Sequence, residues 1–411
     1  MISDWFAAAD FRLALRNIFR QKARTALTLS VIAAGVAGLI LSGGFVEDTL
    51  NTLRESTIHA QLGHLQIYKT GYYAHGKRSP YKYQIERPEE ILAITKELPQ
   101  VADAMSRLSF AGILNNGRSD FAILGEGIEP AKEAKLGTQI QIIDGRKLTA
   151  DDRFGVMVGE GVASGAGLHP GDVVNLLLNT EGGALNNLEF KVVGVFRTFS
   201  KDYDARAVRV ALPDAQELLA SKSVNAIVVE VKNTAQTNAV AKLLRAKLDG
   251  DLFEIKTWFD LADFYEKTAA LFKRQFAFLQ AIILLSVLLS VANSVNMTIF
   301  ERTGEFGTLM ALGTRRGPIF RLVLLENFFV GLIGSAFGVL MGVALAWLIN
   351  ALQIEMPPPP NSNSGYFAGI QLAPSIIATA FIVGFLATPL TALLPARRIA
   401  HVPVVDALRM N

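Results

Sequence analysis

Four stretches of the chain contain no Asp, Glu, Lys or Arg: residues 25–46, 275–300, 327–354 and 356–396. A helix needs about 20 apolar residues to cross roughly 30 Å of hydrocarbon, so each stretch is long enough for one crossing. The last begins with MPPPPNSNSGYFAG (356–369), whose prolines and amides do not form lipid-exposed helix. The pattern therefore predicts four transmembrane helices, at 25–46, 275–300, 322–350 and 374–394. They are joined by a charged loop at 301–321 and a short proline-rich loop at 351–373.

Between the first two spans the period changes. Residues 47–274 hold runs rich in Val, Ile and Phe, separated by Gly, Asp, Asn and Pro, which read as strands. These are 64–70, 121–127, 156–161, 173–180, 190–198, 206–212 and 225–233. Apolar residues at three- and four-residue spacing predict helices at 88–98, 214–222 and 236–248. From Trp258 the pattern turns helical and is expected to run unbroken into the second span, as a stalk. Before the first span, residues 1–24 place Leu13, Leu15, Ile18 and Phe19 on one face and arginines on the other. That is the pattern of an interfacial amphipathic helix. The expected fold is an α-helical membrane protein with four transmembrane helices and a large α+β extracytoplasmic domain between helices 1 and 2.

Composition agrees with this division. Charged residues make up 19% of the chain, against about a quarter in an ordinary soluble domain. The net charge of +3 and the lack of a basic, aromatic-interleaved run argue against nucleic acid as a partner. There is no cysteine, which excludes disulfides and thiolate metal sites. Arginines and lysines flank the first span at Arg12, Arg16, Arg20, Lys22 and Arg24. They recur at Arg302, Arg315, Arg316 and Arg321, and again at Arg397, Arg398 and Arg409. The positive-inside rule then puts both termini and the 301–321 loop in the cytoplasm, with the first span an uncleaved anchor.

Catalytic patterns fail on inspection. Gly71 to Arg78 has the spacing of a phosphate-binding loop, but Arg78 stands where a magnesium-binding hydroxyl belongs. Gly159-Glu-Gly161 reads as strand and turn, and Ser164 as a small turn residue. The five histidines show no paired-ligand spacing, and there is no G-x-S-x-G elbow. No catalytic residue and no metal site is expected. Glu326, near the start of the third span, is expected to reach the interface or to pair with Arg321 or another arginine. Gly331, Gly334, Gly338 and Gly342 on the third span permit close helix packing, either within the chain or across a subunit interface.

Segment 301–317, ERTGEFGTLMALGTRRG, combines two carboxylates, three arginines and the apolar set Phe306, Leu309, Met310 and Leu312. With RLALRNIFRQKARTALT (12–28), GLHPGDVV (167–174), FKVVGVFRT (190–198) and PARRIAHVPVVDALR (395–409), it resembles the permeases of the FtsX/MacB/LolE superfamily. These are the membrane subunits of mechanotransmitting (type VII) ABC systems. The likeness covers almost the whole chain and leans toward the lipoprotein-releasing LolC/LolE branch. It implies a MacB-like periplasmic core between helices 1 and 2 and location in a bacterial inner membrane. It also implies a coupling helix that docks on a separate cytoplasmic ATPase dimer, with Glu301, Glu305, Phe306, Gly307, Leu309, Leu312 and Gly313 as docking positions. ATP and Mg would sit on that ATPase, and this chain would bind no cofactor of its own. A second permease subunit, identical or related, completes the expected assembly. Lipoprotein extraction is the implied task, with membrane lipid and a periplasmic lipoprotein or acceptor protein as partners. Export of a periplasmic peptide, toxin or drug, and signalling to a cell-wall hydrolase, are the alternatives. For a bound lipid, Phe276, Phe278 and Leu279 at the start of the second span are the expected contacts.

Overall fold

A computed structural model describes residues 16–17, 20, 22–76, 80–136, 138–180, 182–358 and 365–401. The principal helices are α1 (Lys22–Thr57), α2 (Pro88–Lys96), α3 (Pro130–Leu136), α4 (Leu212–Leu219), α5 (Thr237–Lys247), α6 (Asp263–Glu301), α7 (Thr303–Ala311), α8 (Arg316–Leu352) and α9 (Pro374–His401). The strands are β1 (Leu65–Lys69), β2 (Val101–Asn115), β3 (Asp120–Ile128), β4 (Gln141–Gly145), β5 (Gly155–Gly159), β6 (Val173–Asn179), β7 (Leu185–Arg197), β8 (Ala207–Ala211), β9 (Ala226–Val231), β10 (Phe253–Thr257) and the two-residue β11 (Glu355–Met356) and β12 (Tyr366–Phe367). Among the described residues, four helices are long and apolar enough to cross a membrane: α1, α6, α8 and α9. The chain divides into two compact units. One comprises Met1–Leu50, Ala269–Glu355 and Phe367–Asn411, the other Asn51–Thr268 with Met356–Tyr366.

In the first unit small residues set the packing. Gly331, Gly334, Gly338 and Gly342 are all buried on α8. A Cβ on Gly334 would lie 3.0 Å from Ile32, and one on Gly338 2.9 Å from the Cα and carbonyl oxygen of Ala33. A Cβ on Gly342 would meet Ala37 at 3.1 Å, and one on Gly331 the Phe385 carbonyl oxygen at 2.8 Å. Backbones approach this closely only where side chains are missing. The stripe is occupied within the chain, by α1 and α9, so the subunit-interface reading of it is corrected. α1 also presents Gly35 to Val287 of α6. Ile32, Val36, Ile40, Val287, Val291, Val295 and Val323 fill the space between the helices. Outward-facing Phe278, Leu285, Leu289, Phe337, Leu340, Trp347, Leu386 and Leu390 remain exposed, an apolar surface suited to hydrocarbon.

The second unit is a mixed α/β domain built around one long strand. β2 pairs with β3 on one side, and on the other with β9 along its first half and β6 at its end. From β3 the pairing runs through β8, β5 and β7 to β6, which returns to β2. Six strands thus close into a small barrel, which removes most free sheet edges. Leu108, Phe110, Leu114, Val156, Val158, Val174, Phe190 and Val208 fill its interior. The first half of β2 continues into an open sheet, β10-β1-β9-β2, backed by Ile91 of α2 and by Val240, Ala241 and Leu244 of α5.

All seven expected strands are present, and β2, β4, β10 and the two-residue β11 and β12 are additional. The segment holding Ser164 forms a short helix, Glu160–Ala166, rather than a turn. The expected unbroken helix from Trp258 is interrupted. Trp258–Leu261 is a separate turn capped by Thr257 and Asp260, and Ala262 leaves helical geometry (ψ 57°) before α6 begins. Most of the helix expected over 1–24, residues 359–364 of the proline-rich loop and the tail after His401 lie outside the described residues.

Candidate functional site

The charged segment between α6 and α8 folds as α7, and its two faces have different fates. Thr303, Phe306 and Gly307 point inward and are buried, with Phe306 only 1% exposed. The Arg302 guanidinium lies 5.0 Å above the Phe306 ring. Phe306 therefore belongs to the helix-bundle core and is not part of an exposed apolar plug, which corrects the docking set. The outward positions are Glu305, Thr308, Leu309, Ala311 and Leu312. Leu309 is 39% and Leu312 80% exposed.

The end of α7 is a glycine stop. The Thr314 N–H donates to the Leu309 carbonyl at 3.0 Å, and the Gly313 N–H to the Met310 carbonyl at 3.0 Å. This paired arrangement, with Gly313 at φ +96°, is a Schellman motif. A Cβ on Gly313 would meet nothing within 4 Å, so glycine is required there by the backbone angle alone.

Both carboxylates singled out in the sequence are held by arginines of the same chain. Glu301 pairs with Arg24. Glu305 pairs with Arg20 at 2.7 Å and Arg302 at 3.3 Å. Arg302 also binds Glu326 at 2.6 Å, and Asn17 donates to the other Glu326 oxygen at 2.6 Å. Glu326 is 8% exposed, and its partner is an arginine of the expected kind, though not Arg321. The network joins the segment before α1, the start of α1, the end of α6, α7 and α8 around an open cleft. Surface ion pairs taken singly contribute little. The Arg302–Glu326 pair is largely shielded from water, so breaking either half would leave an uncompensated charge. The arrangement clamps α7 to the bundle and leaves Leu309 and Leu312 as its free apolar contacts.

At the other end of α6, Phe276 is half-buried against Phe45 of α1, with ring centroids 5.8 Å apart. Phe278 and Leu279 are exposed. The structure thus separates Phe276 from the other two expected lipid contacts.

A second cluster, which sequence spacing did not reveal, surrounds the far end of α1. The rings of His59 and His64 stand edge to face at 5.4 Å. His59 Nε2 lies 3.3 Å from Glu55. His64 Nδ1 accepts the Val231 N–H at 3.2 Å, while Nε2 lies 3.1 Å from the Thr234 hydroxyl. Burial, reinforced by neighbouring His59, pulls the His64 pKa down to about 4. The signal available in the sequence was weak: the two histidines are five residues apart, and His59 lies within a π turn, Ile58–Leu62, that ends just before His64.

Comparison with known proteins follows the same division. Residues 25–247 match the MacB-like periplasmic core domain, and residues 277–404 the FtsX-like permease C-terminal family. An uncharacterized ABC transporter permease of Methanocaldococcus jannaschii is 24% identical, covering 68% of this chain and 68% of that protein. The lipoprotein-releasing system transmembrane protein LolC of Neisseria meningitidis serogroup B is 22% identical over 84% of this chain and 82% of its own. The macrolide export ATP-binding/permease protein MacB of Psychrobacter arcticus is 24% identical over 97% of this chain but only 59% of its own length.

Proposed function

The chain belongs to the FtsX/MacB/LolC family of ABC transporter permeases, and on that premise we propose that it is a non-catalytic permease subunit driven by a separate cytoplasmic ATPase dimer. The observation that carries this reading is α7, whose body is clamped by Arg302 and the Arg20–Glu305 pair while Leu309 and Leu312 stay exposed. A helix held this way moves with the bundle when a partner pushes on it. ATP and Mg are bound by the partner, and the α/β domain, on the periplasmic side, receives the stroke.

The task this reading favours is extraction of lipidated protein from a bacterial inner membrane. It is supported by a LolC relative that aligns over most of both chains. Export of a periplasmic peptide, toxin or drug is the second reading, favoured by the MacB alignment over 97% of this chain. Two permease subunits, identical or related, form the working assembly. Their membrane contact is assigned to α6, where Ser286, Ser290 and Asn293 are exposed at helical spacing.

Affinity purification of the tagged chain from its native membranes tests the docking claim. The wild type brings down an ATPase, and Leu312→Asp loses it while still inserting in the membrane. Retention of the ATPase with full hydrolysis by Leu312→Asp would show that α7 is not the docking element.

A further inference from the structure

The α/β domain buries two arginines that the coupling site does not use. Arg107 of β2 is 4% exposed and Arg209 of β8 1%. Both point at the place where α1 stops. α1 passes at Thr57 into the π turn Ile58–Leu62, closed by the Gly63 N–H on the Ile58 carbonyl at 2.8 Å. The last carbonyls of a helix have no partner within it and form the negative end of its dipole. Here Arg209 Nη2 donates to the Ala60 carbonyl at 2.9 Å, and Arg107 Nη1 donates to the Gln61 carbonyl.

Further donors of the two guanidiniums are held from the other side, while Arg107 Nε is buried without a hydrogen-bond partner. Arg107 Nη2 binds both oxygens of Glu133 on α3, at 2.9 and 3.1 Å. Arg209 binds Glu133 at 3.2 Å and Glu126 of β3 at 3.2 Å. Arg209 also lies 5.5 Å from the Phe196 ring centroid and donates to the Tyr203 hydroxyl at 3.1 Å. The two arginines hold Glu133 ionised, with its pKa below the usual range despite complete burial.

Such a cluster is a poor source of stability. The cost of desolvating the ions offsets most of their attraction, and a well-packed apolar set of the same volume commonly holds a fold as well or better. What an arginine fork supplies instead is direction, because its five donors are fixed in one plane. Apolar contacts would let the end of α1 slide or rotate. The forks of Arg107 and Arg209 fix two of its carbonyls to β2, β8 and α3. A π turn at that point is itself a local change of helical register, a feature frequent at functional positions.

We propose that Arg107, Arg209 and Glu133 form the joint at which movement of α1 is delivered to the α/β domain, with the two arginines as positioning residues for the transmitted stroke. The proposal rests on the permease reading given above and adds the point of attachment.

The test uses the full chain reconstituted with the ATPase that co-purifies with it. Hydrogen exchange is followed across residues 101–128 with and without ATP and vanadate. Three chains are compared: wild type, Arg209→Lys, which keeps the charge but loses the fork, and the apolar triple variant Arg107→Met/Glu133→Leu/Arg209→Met. The wild type shows a nucleotide-dependent change in exchange. Both variants lose that change while keeping ATPase activity and a cooperative thermal transition. A purely structural role would instead lower the midpoint and spare the response. If the triple variant folds and responds like the wild type, the joint is overturned. If the wild type itself shows no response although the ATPase is bound and active, transmission fails, and the joint with it. Arg146→Met, which breaks an exposed pair with Asp152 in the same domain, serves as the control and leaves the response unchanged.

Discussion

His64 shows how one side chain ties the stability of the α/β domain to pH. Its Nδ1 accepts a backbone N–H from β9, so the ring is neutral when folded, and protonation would break that bond. The folded pKa, down to about 4, lies below the ordinary 6.5. Between those values the unfolded chain binds a proton that the folded chain does not, so stability rises with pH across that window. The contribution is complete above pH 6.5 and is lost as the pH falls toward 4, on the order of 3 kcal/mol in all. His64→Asn can keep an acceptor for the Val231 N–H without titrating. The thermal midpoint of the wild type is therefore expected to fall from pH 7 to pH 5 more steeply than that of His64→Asn. Parallel profiles would remove His64 from the account. Phe306 makes the complementary point at this scale. An aromatic residue in a charged loop reads as a surface contact, yet the ring is buried under Arg302.

At the scale of elements, α7 depends on its glycine stop. Gly313→Ala adds no clash but forces a side chain into the left-handed region, at a cost of about 1 kcal/mol. Gly313→Asn should cost less, because asparagine tolerates that region. We expect weaker ATPase coupling in the order wild type, Asn, Ala, read as nucleotide hydrolysis by the assembled complex. An Ala variant indistinguishable from wild type would mean that the Schellman turn does not set the orientation of α7. The spans and seven strands were legible in the sequence because each carries its own period, uncharged length for helices and β-branched runs for strands. β2 was not. Its 15 residues, VADAMSRLSFAGILN, include Asp103, Ser106, Arg107 and Gly112. The strand serves two sheets in turn and buries Arg107, so no single alternation marks it. Segment 301–317 was likewise visible as a charged interruption. The arginines that neutralise Glu301 and Glu305 were not, because Arg24 and Arg20 lie more than 270 residues away in the chain. The glycine stripe was plain in the sequence, but its partners, α1 and α9, are set only by tertiary packing.

For the whole molecule, the placement of small and polar residues decides which helix is suited to the proposed subunit contact. The stripe on α8 is filled by α1 and α9, and the exposed sides of α8 and α9 are almost wholly apolar, as lipid requires. α6 differs. Ser286, Ser290 and Asn293 lie exposed on one face, and Asn293 is eight residues from the end of the helix, about 12 Å into the bilayer at helical rise. An amide facing hydrocarbon is costly unless it finds a partner, and hydrogen bonds between helices are the usual remedy. In the two-subunit assembly proposed above, a second permease bringing the same face, as a two-fold contact requires, would satisfy it. The chain has no native cysteine, so one introduced thiol reports without background. With Asn293→Cys, mild oxidation in membranes is expected to give a disulfide-linked dimer. Leu390→Cys on the lipid-facing side of α9 should stay monomeric. Cross-linking at Leu390 but not at Asn293 would move the subunit contact to α9 and leave the polar face of α6 for some other partner. Asn293→Leu supplies the energetic half of the argument. It removes the amide without disturbing α1 packing, so it should weaken the dimer in detergent while leaving the fold of each subunit intact.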